Sequence, residues 1–339
     1  MQGANPHNGG MTTSKKTTAT KSAAKKSAAK KSAKKPAAKK KVDVPTALPE
    51  GGLSSLLRLP QGPVDVDALD ARATPGFPGK DKKDAPKLAE KMLDKLSDLQ
   101  ERLYAQGRTN PESAPRILLL LQGMDTSGKG GVIRHAVGMV DPQGVQLTSF
   151  KSPTKEELSH DFLWRIEKAL PDPGMIGVFD RSQYEDVLVV RVEELVPQEE
   201  WESRYDRINE FEAKLVGQGI TLIKCFLNVS SSEQLERLQE RLERPDKHWK
   251  YNPGDLDTRA KWSDFEDAYA DALERCNTSV APWYVIPSDR KWYRNWAVAQ
   301  LLLEHLEELD LAWPEAEFDV EEQKRLLAEL TVEKVDPQD

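Results

Sequence analysis

One segment constrains the fold more than any other, because a buried strand, a glycine-rich loop and a helix follow one another directly. The strand pattern is the apolar run ILLLLQG at residues 117–123, typical of a parallel strand that is buried on both faces. The loop, GMDTSGKG at residues 123–130, fits the pattern GxxxxGK, and a helical pattern begins after it. A unit of this kind binds phosphate through loop N–H groups and the helix N-terminus. We therefore predict an α/β chain with a phosphate loop.

The residues of this loop have distinct expected roles. Gly123, Gly128 and Gly130 would let the backbone amides turn toward phosphate oxygens, and Lys129 would neutralise phosphate charge. Gly130 stands where a serine or threonine that holds magnesium commonly follows the lysine, so Asp125 becomes the available hard oxygen ligand. The alternative is an ordinary glycine-rich turn with a surface lysine, in which Asp125 only stabilises the turn.

Apolar runs alternate with amphipathic stretches through the rest of the chain. Predicted strands lie at 117–123, 145–150, 175–180, 220–229 and 283–287. Predicted helices begin with a long one from Lys87 and continue near 130–140, 155–169, 185–196, 199–217, 231–244, 257–275 and 291–309, with a short acidic one after Phe318. This alternation predicts a mainly parallel five-stranded sheet flanked by helices. The helix from Lys87 is expected to serve packing or oligomer formation.

A second motif, MIGVFDRS at residues 175–182, is an apolar strand that ends in an aspartate. Ligands of open parallel sheets bind beyond the carboxyl ends of the strands, so Asp180 should face the phosphate loop. Arg181 offers a planar set of donors to phosphate. The alternative for Asp180 is a helix cap. With the loop motif present, we interpret Asp180 as a magnesium ligand and Arg181 as a phosphate ligand.

A third feature is a helical lid over about 233–262. Arg237 and Arg241 lie four residues apart on one helix face, and a loop rich in lysine and aromatic residues follows. Phosphoryl-transfer enzymes often close an arginine-bearing lid over the reacting groups. The alternative is a solvated helix, since Glu233–Arg237 has the spacing of an ordinary surface pair.

Charge is divided unevenly along the chain. Residues 1–42 contain 12 lysines and no acidic residue. Residues 43–339 therefore hold 37 of the 49 arginine and lysine residues and all 56 acidic residues, a net charge of −19. A Lys/Ala/Ser tail of this kind cannot bury enough apolar surface to order itself, and we expect it to contact a polyanion such as polyphosphate or nucleic acid. Residues 43–83 should form a linker or irregular arm, 84–312 the P-loop domain and 313–339 a C-terminal extension.

Several protein classes are excluded by composition. No apolar run approaches the roughly 18 residues of a membrane span, and the N-terminus lacks the apolar core of a secretory signal. The two cysteines, Cys225 and Cys276, rule out a disulfide framework, and the five histidines lack metal-ligand spacing. A cytoplasmic protein without membrane contact is expected.

Longer stretches of the sequence resemble a known family, the polyphosphate kinase 2 family. The resemblance covers about residues 85–310 and rests on QGMDTSGKGG, PQGVQLTSFKSPTKEELSHDFLWR, FDRSQYEDVLVVRV, RLERPDKHWKYNPGD and APWYVIPSDRKWYRNW. It implies a thymidylate-kinase-like P-loop kinase fold and transfer of phosphate between inorganic polyphosphate and nucleotides with magnesium. The stretch YEDVLVVRV resembles the corresponding stretch in the branch of the family that acts on both nucleoside mono- and diphosphates.

The resemblance also implies roles for individual residues. Asp125 matches an aspartate of the family's loop, Asp180 and Arg181 match its strand-end pair, and Arg237 and Arg241 match its lid arginines. Glu185 matches an acidic residue of the mono- and diphosphate branch. Weaker candidates for the nucleotide or phosphate side are Lys151 and Trp164, although core packing is the more frequent role of a helical tryptophan.

Together these observations predict a polyphosphate-dependent kinase that converts AMP to ADP and ADP to ATP. The expected catalytic set is Asp125, Lys129, Asp180, Arg181, Arg237 and Arg241, with Asp125 and Asp180 as Mg²⁺ ligands. Adenine and guanine nucleotides are expected substrates, and a homo-oligomer the expected assembly. Two alternatives remain: an ATP-dependent nucleoside monophosphate kinase, and a non-enzymatic polyanion-binding protein.

Overall fold

Five parallel strands form the central sheet of the protein. The computed structural model describes residues 48–329. The strands are β1 (Arg116–Gln122), β2 (Val145–Ser149), β3 (Ile176–Asp180), β4 (Ile220–Asn228) and β5 (Trp283–Pro287). They lie in the order β2-β3-β1-β4-β5, and every neighbouring pair is parallel. The predicted five-stranded parallel sheet is therefore confirmed, and the carboxyl end of β1 lies beside those of β3 and β4.

Helices cover both faces of this sheet. They are α1 (Gly52–Leu57), α2 (Ala85–Thr109), α3 (Lys129–His135), α4 (Trp164–Glu167), α5 (Val189–Val192), α6 (Gln198–Gly217), α7 (Ser231–Glu243), α8 (Asp255–Ala260), α9 (Trp262–Arg275), α10 (Lys291–Glu308) and α11 (Val320–Glu329). Successive residues of β1 point to opposite faces. Leu119 belongs to the core beneath α2 and α10, whereas Leu118 and Leu120 belong to the core beneath α6 and α9. Burial on both faces explains the continuous apolar strand.

Three predicted helices are shorter in the structure than their patterns suggested, and a fourth is interrupted. The predicted 130–140 helix ends as α3 at His135. Within 155–169 only α4 is α-helical, because the Asp161 carboxylate accepts the N–H of Leu163 at 3.0 Å and starts a new turn after an extended His160. Within 185–196 only α5 is α-helical, and the predicted 257–275 helix is divided into α8 and α9. The chain around the carboxyl ends of β2 and β3 is therefore mostly loops and single turns.

Residues 48–83 are largely irregular and pack against the sheet and α10. Leu53 and Leu57 of α1 are buried, and the N–H of Leu59 donates to the Trp283 carbonyl at 2.8 Å. Phe77 meets Trp296 edge to face, with ring centroids 5.0 Å apart. The predicted basic tail, residues 1–42, lies outside the described residues. Among residues 48–329, no helix combines the length and the apolar composition that a membrane crossing requires.

Candidate active site

The phosphate loop connects β1 to α3 in a conformation that requires glycine. Gly123 and Gly128 have φ angles of 152° and 109°, where side chains are strongly disfavoured. A Cβ on Gly123 would also lie 2.7 Å from the Leu227 carbonyl oxygen on neighbouring β4. Thr126 has a φ of 64°, a left-handed conformation that costs a non-glycine residue about 1–2 kcal/mol. The backbone therefore turns sharply here, although one loop residue is strained by it.

The carbonyl groups of the loop are held from outside by side chains of α7 and α10. Gln234 Nε2 donates to the carbonyl of residue 125 at 3.2 Å, and Arg237 Nη1 donates to that of residue 126 at 2.8 Å. The carbonyl of Ser127 accepts from both Arg237 and Arg294, at 3.2 and 2.9 Å. Three successive carbonyls are thus turned toward the two helices.

The N–H groups of the same loop are left available. Within residues 48–329, no acceptor is within hydrogen-bonding distance of the backbone N–H of Thr126, Gly128, Lys129 or Gly130. The last two belong to the first turn of α3, where N–H groups carry partial positive charge. Carbonyls held outward and N–H groups left free at a helix start form an anion-binding site.

Lys129 lies at the centre of the charged groups around the loop. Its Nζ donates to the Gly123 carbonyl at 2.8 Å. Burial lowers the pKa of Lys129, and the neighbouring Arg181 lowers it further. Three carboxylates oppose these effects: Asp125, Asp180 and Glu185. An anion bound by the loop would meet this ammonium group together with the free N–H groups.

The turn after β3 supplies the second half of the site. Asp180 ends β3 and pairs in register with Leu121, the penultimate residue of β1. Arg181 follows with a φ of 69° and donates to Asp125 Oδ1 at 3.0 Å and to Glu185 Oε2 at 2.9 Å. The Glu185 and Asp125 carboxylates raise the pKa of Arg181, although burial opposes them. The strained backbone and the two ion pairs hold this guanidinium between the loop and the turn.

Asp125 and Asp180 have the chemistry that a magnesium site shared with a phosphate requires. Mg²⁺ usually takes one or two carboxylates together with substrate phosphates and water, rather than a cage made only of protein groups. No cluster of three or more His, Cys, Asp or Glu among the described residues could hold a metal by itself. The Asp180 carboxylate accepts no hydrogen bond from residues 48–329, so its oxygens are free for a cation.

A cavity of about 280 Å³ opens in front of the loop and the turn. The residues that line it include Gly123, Asp125, Arg181, Glu185, Asp255 and Tyr269. Burial and the Asp125 charge raise the pKa of Asp255, although Arg241 donates to its carboxylate at 3.1 Å. The cavity therefore brings together four sequence-predicted site residues: Gly123, Asp125, Arg181 and Glu185.

The two predicted lid arginines take different positions. Arg237 is buried, and apart from Glu233 its partners are four backbone carbonyls, two in the loop and two at Ser288 and Asp289. It braces the loop from behind in this structure. Arg241 donates to the Lys250 carbonyl and to Asp255, so it meets the cavity through that carboxylate. Contact of either arginine with phosphate stays a prediction.

Lys151 and Trp164 are not among the residues that line the cavity. Lys151 is exposed. The ring of Trp164 stacks on His160 with centroids 4.0 Å apart, and Lys168 Nζ lies 3.9 Å from its centroid. His160 and Lys168 therefore both contact the Trp164 ring, and its stacking on a base stays a prediction.

Sequence reasoning missed several residues that support the site. Gln234 and Arg294 hold the loop carbonyls, and neither belongs to a pattern that marks such a role. Lys224 and Glu212 form a fully buried ion pair beneath the turn after β3. A signal for this pair did exist, since Lys224 interrupts the otherwise apolar run ITLIKCFLNV with a charge.

Known proteins are similar to this chain in architecture and in sequence. The model of the family polyphosphate kinase 2 matches residues 81–312. An AMP/ADP-polyphosphate phosphotransferase of Meiothermus ruber is 44% identical over 258 residues, which cover 76% of this chain and 94% of the relative. An ADP-polyphosphate phosphotransferase of Rhodopseudomonas palustris is 42% identical over 66% of this chain and 79% of its own length. A crystal structure of polyphosphate kinase 2 from Arthrobacter aurescens superposes with a TM-score of 0.78 at 50% identity, covering 84% of this chain and 100% of that one. The order of the motifs, the parallel sheet and these similarities lead to one conclusion: the chain belongs to the polyphosphate kinase 2 family.

Proposed function

We propose that the protein transfers a phosphoryl group between inorganic polyphosphate and nucleoside mono- and diphosphates, taking AMP to ADP and ADP to ATP. The observation that carries the proposal is the phosphate loop, whose carbonyls are held outward while four N–H groups at positions 126 and 128–130 have no protein acceptor within residues 48–329. The names of the relatives from Meiothermus ruber and Rhodopseudomonas palustris support polyphosphate as the other substrate.

The reaction depends more on positioning the two substrates than on a general base. The acceptor phosphate has a second pKa of about 6, so at neutral pH its oxygen is largely ionised and nucleophilic. That oxygen attacks the terminal phosphorus of polyphosphate, the bridging P–O bond breaks, and its electron pair leaves with the shortened chain. Lys129, Arg181 and the loop N–H groups would stabilise the charge that moves during this transfer.

Two carboxylates would hold Mg²⁺ in this reaction. Asp180 has free oxygens, and Asp125 has one oxygen bonded to Arg181. When bound there, Mg²⁺ would neutralise phosphate charge and orient the oxygens of the two substrates. The tasks of the chain itself are to keep both carboxylates beside Lys129 and to hold Arg181 between Asp125 and Glu185.

The proposal extends to the substrates and the assembly. We take adenine and guanine nucleotides as the acceptors and a homo-oligomer as the working form. Size-exclusion chromatography with light scattering measures the assembly, and a monomeric mass would contradict it. A panel of AMP, ADP, GMP and GDP with polyphosphate measures the base and the phosphorylation state that the site prefers.

The decisive test compares phosphate donors. The purified full chain, with Mg²⁺ and AMP, should form ADP and then ATP from polyphosphate, as followed by chromatography. Lys129→Ala should lose about 10²–10³ in turnover, because it removes a charge at the reacting phosphates. Lys214→Ala is the matched control, since its side chain is 59% exposed and lies on α6 away from the cavity.

Each alternative has its own result. Product formed from ATP but not from polyphosphate would indicate an ATP-dependent nucleoside monophosphate kinase. Binding of polyphosphate without any nucleotide product would indicate a non-enzymatic polyanion-binding protein. Normal turnover by Lys129→Ala would indicate that the phosphate loop takes no part in the reaction.

A further inference from the structure

Arg294 lies directly behind the phosphate loop. It belongs to the first turn of α10 and is 3% exposed. Its Nη1 donates to the Ser127 carbonyl at 2.9 Å, and its Nε and Nη2 donate to Asn295 Oδ1 at 3.2 and 2.9 Å. A Cβ on Gly128 or Gly131 would overlap the guanidinium group, so this group packs against the bare backbone of the loop and of α3.

The charge of Arg294 forms no ion pair with a carboxylate of residues 48–329. Four arginine and lysine residues are buried among the described residues, and three of them, Arg204, Lys224 and Arg237, form ion pairs with carboxylates. Arg294 forms none with any residue in 48–329, since its acceptors are a backbone carbonyl and a neutral amide. An isolated buried charge is strongly unfavourable, so its retention calls for a counter-ion from elsewhere.

The surroundings of Arg294 strengthen this requirement. Burial, and then the nearby Arg237 charge, lower the pKa of Arg294 to about 9, although the more distant Glu233 carboxylate, which is paired with Arg237, opposes them. The guanidinium is therefore still protonated at neutral pH, but its charged form is disfavoured. The free N–H groups of the loop belong to the same stretch of backbone that Arg294 contacts.

We propose that the phosphate chain bound in the loop is the counter-ion of Arg294, and that Arg294 is a positioning residue for the reaction. This inference rests on the proposed function. Arg294 does not touch phosphate: it holds the Ser127 carbonyl outward and places a fixed positive charge behind the loop N–H groups. The protein without substrate carries an unbalanced buried charge, which binding of phosphate balances.

If Arg294 has this role, its loss should not destabilise the free protein but should weaken the binding of phosphate. Arg294→Met removes the unpaired charge while keeping much of the side-chain volume. Without phosphate, the variant should unfold at the same temperature as the parent chain or at a higher one. Its Kd for inorganic tripolyphosphate, measured by calorimetry, should rise about tenfold to a hundredfold, and a fixed concentration of tripolyphosphate should raise its unfolding temperature by less than it raises that of the parent chain.

Two further variants separate charge from shape. Arg294→Lys keeps the charge but loses the planar set of donors, so its affinity should fall between those of the parent and Arg294→Met. Arg116→Met is the matched control, because Arg116 also donates to a backbone carbonyl, that of Pro171, but at the amino end of β1. It should keep the full shift in unfolding temperature caused by tripolyphosphate.

The possible results distinguish this inference from the function on which it rests. If Arg294→Met unfolds at a lower temperature but binds tripolyphosphate normally, Arg294 is a purely structural residue and the proposal is overturned. The same holds if the methionine and lysine variants bind equally well and the chain is active with polyphosphate. A parent chain that neither binds tripolyphosphate nor uses polyphosphate would overturn the proposed function itself.

Discussion

Replacing Lys224 by methionine should destabilise the protein strongly, because it leaves a carboxylate buried without its cation. Lys224 lies within β4 and is fully buried. Its Nζ donates to Glu212 Oε2 at 2.6 Å, to the Cys276 carbonyl at 2.7 Å and to Tyr184 Oη at 2.9 Å. Gln183 and Tyr184 donate to the other oxygen of Glu212 at 2.9 and 2.7 Å. All three ammonium protons therefore have acceptors.

The size of the effect follows from the burial of the remaining partner. In Lys224→Met the Glu212 side chain, 1% exposed, loses its counter-charge. Breaking a buried pair in this way costs about 3–5 kcal/mol of the free energy of unfolding. Lys214→Met is the matched control, because its exposed pair with Glu167 contributes only about 0–1 kcal/mol.

A double variant identifies the ion pair as the cause. Lys224→Met with Glu212→Leu removes both charges and leaves only neutral groups without partners. Its loss of stability should be smaller than the sum of the two single losses, by about 1–3 kcal/mol. Urea unfolding of the parent chain, Lys224→Met, Glu212→Leu and the double variant, followed by circular dichroism, measures these free energies.

Activity should respond as well, because this network lies beneath the turn that presents Arg181 and Glu185. Gln183 and Tyr184 belong to the same turn, and a displacement of about 1 Å near the reacting groups can cost up to about a hundredfold in rate. We expect kcat of the folded Lys224→Met variant to fall at least tenfold. A loss of stability under about 1 kcal/mol, or strictly additive single and double losses, would refute the reasoning.

Five further perturbations test other parts of the protein. Asp180→Asn should lower kcat by about two orders of magnitude and raise the Mg²⁺ concentration needed for half-maximal rate; an unchanged Mg²⁺ titration would contradict its role as a ligand. Arg241→Lys should lower kcat markedly if the lid arginine reaches phosphate, whereas an unchanged kcat would leave it as a partner of a carboxylate only. Gly128→Ala should lower the free energy of unfolding by more than about 1–2 kcal/mol, because of its φ of 109° and the overlap with an arginine. Gly130→Ala, with nothing within 4 Å of its Cβ, should instead raise that free energy by up to about 1 kcal/mol; equal effects in urea unfolding would contradict both. Deletion of residues 1–42, with their 12 lysines, should raise the KM for long polyphosphate at low salt and flatten its salt dependence; identical salt profiles with and without the tail would disprove this.

Much of the site could be predicted from local sequence. The strands were predictable because burial on both faces requires continuous apolar runs, as in β1 and β4. The loop and Lys129 were recognisable because the geometry that binds phosphate depends on residues adjacent in the chain. Asp180 and Arg181 followed from one rule of parallel sheets, that strand ends meet at the same edge.

Tertiary structure decided how that site is supported. Arg237 could be placed on a helix face from its spacing, but only the fold shows it bonded to loop carbonyls 111 and 110 positions away. Arg294 reaches the same loop across 167 positions, and only the tertiary structure shows that no carboxylate of residues 48–329 pairs with it. Lys224 could be recognised in the sequence as a charge within an apolar strand. The identity of its partner, Glu212, depends on how α6 packs on β4.

The physical reason for this division is the range of the forces involved. Backbone conformation and the burial pattern of a strand or helix are set by residues a few positions apart, so they can be read along the chain. Hydrogen bonds and ion pairs of buried charges are set by distances in space, which the order β2-β3-β1-β4-β5 and the packing of α7 and α10 determine. The sequence therefore predicted the groups that we propose to meet phosphate, and the tertiary structure decided which groups hold them in place.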